Sequence, residues 1–116
     1  MADDDFLEFV LDQLSALPDV TYRRMFGGLG LYESGVFFAV IAVGRLYVKT
    51  DDESRTQYEE KGMKAFAPTP DQVIKTYYEV PVDILEDDTL LCEWAERALA
   101  AQKKSKKKPA KKRRIR

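Results

Sequence analysis

The strongest constraint on the fold is an uninterrupted run of eight apolar residues, positions 36–43 (VFFAVIAV). The run is too short to span a membrane, which needs roughly 18 apolar residues, and turn residues precede and follow it. A strand with one covered face alternates apolar and polar residues, so this strand is predicted to be buried on both faces. Either helices cover both faces, or one face meets a second copy. We favour the second copy, because the chain offers few helices, and therefore predict a homodimer.

The surrounding patterns predict an α+β domain. Apolar residues at helical spacing indicate a helix over residues 4–17, and short turns between successive apolar segments indicate antiparallel strands. Gly27-Gly28 interrupts the first strand, where we expect a bulge or sharp bend. Asp51 and Asp52 are positioned to cap a second helix that ends before Gly62. The predicted order is helix, three-strand antiparallel meander, helix, two strands, helix, with strand segments at 20–32, 36–43, 46–49, 63–67 and 73–80.

Two residue types are scarce enough to narrow the chemistry. The chain contains no His and only one Cys, Cys92. Nucleophiles paired with His, sites with His-ligated metals, internal disulfides and thiolate zinc clusters are therefore excluded. We expect no catalytic residue, no cofactor and no metal site; an enzyme that uses carboxylates and Tyr is the less favoured alternative. Cys92 is predicted to be a packed thiol, because Glu93 and Glu96 nearby oppose thiolate formation.

The formal net charge of −1 conceals a strong asymmetry. Residues 103–116 (KKSKKKPAKKRRIR) contain ten basic residues and no acid, whereas residues 1–102 contain 9 basic and 20 acidic residues and carry −11. The basic residues are Lys103, Lys104, Lys106, Lys107, Lys108, Lys111, Lys112, Arg113, Arg114 and Arg116. We predict a folded domain over residues 1–102 and a disordered Lys/Arg-rich tail over residues 103–116, because the tail has one large apolar residue to bury.

Such a tail favours contact with polyanions. Its ten side chains are predicted to bind DNA phosphates without reading sequence, because they offer no evident base-reading groups. There are two alternatives: the tail only keeps the protein soluble, or it folds back on the acidic domain. The acidic N-terminal segment (MADDD) differs from a secretory signal, so we expect a cytoplasmic protein without a membrane segment.

Several motifs resemble one known family. The string RRMFGGLGLY at residues 23–32 is followed by LYVKTD at 46–51, YYEVP at 77–81, LED at 85–87 and the pair Trp94-Ala95. In this order they resemble the N-terminal domain of the TfoX/Sxy family of bacterial competence regulators, over about residues 6–101. The motif residues are Arg23, Arg24, Met25, Phe26, Gly27, Gly28, Gly30 and Tyr32.

The resemblance implies a two-layer α+β fold like that of secretion chaperones. It also implies a non-enzymatic regulatory or adaptor protein in transcription, acting with a protein partner such as the cyclic-AMP receptor protein. The expectation that the tail adds DNA affinity comes from its charge and not from the resemblance. A protein-interaction module with no nucleic-acid role is the alternative. Full-length members carry a C-terminal helical domain that has no counterpart in this sequence.

The motif residues also have structural interpretations. We expect the glycines to allow a bend or close packing, and Met25, Phe26, Tyr32 and Tyr47 to lie in the core. Arg23 and Arg24 are each predicted to be either an ion-pair partner within the domain or a contact for an anionic partner, and we favour ion pairing since acids outnumber bases in residues 1–102.

Overall fold

A computed structural model shows an α+β domain built on one six-stranded antiparallel sheet. It describes the backbone of residues 2–25, 28–69 and 71–115, and the side chains of residues 5–24, 28–69 and 71–103. The elements are α1 (Ala2–Gln13), β1 (Val20–Met25), β2 (Gly28–Glu33), β3 (Val36–Ala42), β4 (Arg45–Lys49), α2 (Asp52–Glu60), β5 (Ala65–Thr69), β6 (Gln72–Glu79), α3 (Val82–Leu85) and α4 (Asp88–Ile115). The predicted fold class is confirmed.

The meander has four strands instead of the predicted three. Residues on the two sides of Gly27 form separate strands that pair antiparallel, with Met25 opposite Gly28 and Val20 opposite Glu33. The interruption is therefore the site of a chain reversal, and the expected bulge within one strand is wrong. Two consecutive apolar segments around a glycine fit either interpretation, and only the pairing of β1 with β2 decides between them.

The strand order in the sheet is β1-β2-β3-β4-β6-β5, so β1 and β5 are the edges. The two edges differ in regularity. β1 pairs with β2 without a register shift, whereas β5 contains Pro68 and pairs with β6 through two shifts. Pro68 and Thr69 are thus the end of an edge strand, where proline is tolerated because no neighbour needs its N–H.

Local signals define the helix ends. Asp51 accepts a hydrogen bond from the Ser54 N–H at 2.8 Å, and the Ser54 hydroxyl accepts one from the Asp51 N–H at 3.1 Å, which forms a capping box on α2. Gly62 follows with φ of +77°, as expected. Asp87 accepts from the Leu90 N–H at 3.1 Å and caps α4. The N-cap of α3 is Pro81, which makes no side-chain capping hydrogen bond.

β3 is buried on both faces, as predicted, but the last residue of the predicted run, Val43, follows the strand and is 79% exposed. On one side Phe38, Ala39 and Ile41 pack into the main core beneath α1 and α4. On the other side Val40 is 1% exposed and packs with Tyr47, Phe66 and Tyr77 from β4, β5 and β6. One chain therefore supplies both coverings, and the burial of β3 needs no second copy. The homodimer stays a prediction without this support.

The last helix leads into the basic tail. The backbone of α4 is assigned as helical through Ile115, whereas the sequence predicts disorder from residue 103 onwards. The side chains of residues 104–116 lie outside the described residues, and the disorder of this segment in solution stays a prediction. Over the described part of the chain, no helix has the length and apolar character needed to cross a membrane.

Candidate interaction surface on the first hairpin

The motif residues lie on the β1–β2 hairpin. Arg23 and Arg24 are exposed on β1, whereas Gly28 and Gly30 are buried on β2 and Tyr32 is half-buried. Phe26, Gly27 and the Met25 side chain lie outside the described residues. The hairpin thus combines a buried glycine strand, packed against β3, with a basic strand at the edge of the sheet.

Gly28 is required by close packing. A Cβ atom at this position would lie 2.2 Å from the carbonyl oxygen of Ile41, which is too close for any side chain. The obstacle is backbone on β3, so it cannot move aside as a flexible side chain could. The predicted role of the motif glycines in close packing is confirmed at Gly28.

In the part of the chain that the structure describes, the ion pairs predicted for Arg23 and Arg24 do not form. Among the described residues the salt bridges join Arg45 to Glu79 and Arg55 to Asp52, each at 3.0 Å. The guanidinium of Arg23 instead lies 5.7 Å from the centre of the Tyr32 ring, in a cation–π contact. Net acidity was a poor guide, because the acids of the domain are concentrated on other elements.

Charge is divided between helices and sheet. Through residue 102, the helices contain 13 acidic and 2 basic residues, whereas the strands contain 5 basic and 2 acidic residues. The sheet therefore carries +3 and the helices −11. An anionic ligand is repelled by the helical layer and attracted to the sheet, most of all to the exposed arginine pair on β1.

The face of the sheet opposite the helices is lined with rings. We call Tyr32, Phe37, Tyr47, Phe66 and Tyr77 the aromatic face. Ring centres are 5.3 Å apart for Tyr32 and Phe37, 5.6 Å for Phe37 and Tyr77, and 4.8 Å for Tyr47 and Phe66. Tyr47 is buried here, as predicted, and Tyr32 is half-buried beside Arg23.

Partial burial shifts the pKa values of two tyrosines on the aromatic face and of one lysine beside it. Burial is the main cause that raises the pKa of Tyr47 and of Tyr77 above the ordinary value of 10.0. Lys49 Nζ lies 5.6 Å from the centre of the Tyr77 ring, and burial, followed by the nearby Arg55 charge, lowers the pKa of Lys49. Tyr47 and Tyr77 pack with Val40 and Phe66 as a second core.

The outer edge of β1 exposes backbone groups. The Ser34 N–H donates to the Asp19 carbonyl at 3.0 Å, which fixes the alternation of hydrogen bonds along the hairpin. In an antiparallel pair every second residue bonds to its partner strand. With Val20 opposite Glu33 and so on to Met25, the backbone N–H and C=O of Val20, Tyr22 and Arg24 point away from β2. We call these three residues the β1 edge.

A family comparison agrees with the hairpin motif. A model of the TfoX N-terminal domain matches residues 12–102, which is most of the chain and includes both strands of the hairpin. The chain belongs to the TfoX N-terminal domain family. The resemblance stated for the motif residues is thereby confirmed.

The TfoX-type domain is similar to part of a named bacterial protein. A DNA transformation protein, TfoX1 of Aliivibrio fischeri, is 37% identical over 60 residues. The match covers 50% of this chain and 29% of that protein. The chain thus corresponds to well under two thirds of its relative's length.

The TfoX-type domain holds its one cysteine in a groove between α1 and α4. A cavity of about 280 Å³ there is lined by Gln13, Cys92, Glu93 and Glu96 among others. The Cys92 thiol donates to the Gln13 carbonyl at 3.5 Å, and burial, aided by Asp88 and Glu96, raises its pKa. Cys92 is therefore a packed, protonated thiol, as predicted.

The ten predicted DNA contacts fall at the end of the chain. Lys103 is exposed on α4. The other nine, from Lys104 to Arg116, have side chains outside the described residues, so their predicted role in binding phosphates stays a prediction. Within the described residues, no group of three or more Cys, Asp or Glu side chains is placed to hold a metal ion.

Proposed function

We propose that this chain is a non-enzymatic, cytoplasmic regulatory or adaptor protein of the competence-regulator type, whose domain binds a protein partner while its tail adds sequence-independent DNA affinity. Membership of the TfoX N-terminal domain family and the name of the Aliivibrio fischeri relative support the regulatory role. The observation that carries the DNA role is the concentration of ten basic residues and no acid in residues 103–116.

The opposite charges of the domain and the tail favour the tail as the DNA-binding segment. The helical layer carries −11 and therefore repels DNA, and the strands carry only five basic residues, so we expect most of the affinity for phosphates to come from the tail. Helix α4 begins in the main core and its backbone continues into the tail. The partner-binding surface and the DNA-binding segment are thus separate parts of one chain.

The test is a salt series with a short DNA duplex, using the intact chain and a full-length variant in which all ten basic residues of the tail are replaced by Gln. Each phosphate contact contributes about −0.9 to the slope of log affinity against log salt. If half of the tail engages, we expect a slope of about −4 to −5 and near-complete loss of binding in the variant. Two duplexes of equal length and different sequence are expected to bind equally.

A matched control removes charge from the domain instead. Replacing Arg23 and Arg24 by Gln leaves the tail intact, so the salt slope is expected to stay unchanged. Equal binding by the intact chain and by the Gln-tail variant would exclude the DNA role of the tail.

The acidity of the helical layer also favours a second candidate, a protein-interaction module whose tail only keeps the protein soluble. It predicts that the intact chain shows no retention on DNA at physiological salt. The same salt series therefore separates the two functions.

A further inference from the structure

The β1 edge is an open, regular strand in a sheet whose other edge is irregular. Three residues, Val20, Tyr22 and Arg24, direct backbone N–H and C=O groups outward, without a bulge or proline. β5 on the opposite side contains Pro68 and two register shifts, which are common protections against pairing with another strand. Only β1 is thus built to accept a seventh strand by backbone hydrogen bonds.

Basic side chains select what can pair with this edge. Arg23 and Arg24 are exposed neighbours, so their side chains leave opposite faces of the strand. No described carboxylate forms a salt bridge with either of them. Stacking on Tyr32 at 5.7 Å orients the guanidinium of Arg23, which lowers the entropy lost when it binds an anion. Tyr22, 51% exposed, precedes Arg23 along the strand and adds a ring on the same face as Arg24.

A second copy of the chain fits this edge poorly. Two antiparallel β1 strands can exchange backbone hydrogen bonds only when even-numbered residues of one strand lie opposite even-numbered residues of the other. Centred on Tyr22, such pairing sets the two Arg23 side chains on diagonal positions roughly 7–8 Å apart. If the pairing is centred on Arg23 instead, the two Arg23 side chains lie directly opposite each other. Like charges in these positions destabilise a strand pair, so the arginines disfavour self-association and favour an acidic partner.

We propose that the β1 edge binds an extended acidic segment of a partner protein as a seventh antiparallel strand, with two consecutive carboxylates opposite Arg23 and Arg24. Successive carboxylates point to opposite faces of the added strand, so each meets one arginine. The proposal rests on the adaptor role proposed above and names the chemistry of its partner. It is independent of the DNA role of the tail.

The experiment measures binding of the peptide Ac-TVTEEVTV-amide to the intact chain. The same peptide, N-methylated at the amides that face β1, is the first control, since the basic tail would bind both equally. Because strand addition needs those amides, we expect at least tenfold weaker binding of the methylated peptide. Equal binding of the two peptides would overturn the proposal and assign the affinity to the tail.

Charge reversal tests the arginines directly. The double variant Arg23→Glu with Arg24→Glu is expected to lose at least tenfold in affinity, and a peptide with two lysines in place of its two glutamates should restore it. The matched control reverses Lys61 and Lys64, which are exposed away from the hairpin, and should bind like the intact chain. Unchanged affinity in the Arg23/Arg24 variant would mean that the arginines only protect the edge.

Backbone hydrogen exchange supplies a readout of position. In the free chain the amides of Tyr22 and Arg24 should exchange quickly, whereas those of Thr21 and Arg23 are bonded to β2 and should be protected. Added peptide should slow exchange at Tyr22 and Arg24 specifically. If these two amides are already protected in the free chain and sedimentation shows a dimer, a second copy occupies the edge and the proposal is wrong.

Discussion

The two faces of the sheet are covered in different ways. The helix-covered face packs aliphatic residues and Trp94 beneath long helices, with Phe38 and Ile41 fully buried. On the aromatic face, side chains of β3, β4, β5 and β6 pack side by side, and the cations of Arg23 and Lys49 lie against the rings of Tyr32 and Tyr77. The strand β3 therefore lies between a thick layer of acidic helices and a thin layer of rings.

The largest test of this comparison removes one ring from each face. Phe38→Ala leaves a cavity in the main core and is expected to cost about 4 kcal/mol of unfolding free energy. Phe66→Ala should cost less, about 2–3 kcal/mol, because the irregular edge strand β5 can collapse into the space. Urea denaturation measures both. Equal losses would show that the two layers contribute equally to stability.

The next test concerns β2, which packs against β3 between the two layers. Gly28→Ala places a methyl group against the Ile41 carbonyl, and we expect a loss of about 3 kcal/mol. Gly35→Ala is the control, because no atom lies within 4 Å of the added carbon and only its φ of +83° opposes the change. That strain alone should cost about 1 kcal/mol. Similar losses in urea denaturation would contradict the close-packing argument.

The smallest effect is expected at high pH. Burial raises the pKa of Tyr58, beneath the helices, and of Tyr77, on the aromatic face, above the ordinary 10.0. The folded state then keeps protons that the unfolded state releases, so stability is full below pH 10 and falls as pH rises above it. Each tyrosine contributes a decrease of up to about 1.4 kcal/mol per pH unit.

Single variants separate the two layers in this test. Tyr58→Phe and Tyr77→Phe should each flatten the decline of stability between pH 10 and 11, measured by thermal denaturation, relative to their values at pH 8. Tyr22→Phe, on an exposed residue, is the control and should leave the decline unchanged. A decline that neither buried variant alters would assign alkaline unfolding to other groups.

Much of this molecule follows from sequence alone. The unbroken apolar run of β3 determined burial on both faces, since no polar side chain was available to face water. Asp51 and Gly62 determined the ends of α2, because caps depend on residues only a few positions apart. The family motif identified the hairpin that carries the candidate surface. The charge of residues 103–116 follows from their composition and does not depend on a folded structure.

Only the tertiary structure decided which elements bury the two faces of β3. Rings from β4, β5 and β6 bury Val40 on the second face of β3, a covering that the sequence led us to assign to another copy. The pairing of β1 with β2 shows two strands where the sequence predicted one. Arg23 lies next to Tyr32 and not next to a carboxylate, because the acids lie mainly on the helices. These outcomes depend on contacts between residues far apart in the chain. Local propensity and average charge carry no information about such contacts, because neither specifies which elements become neighbours.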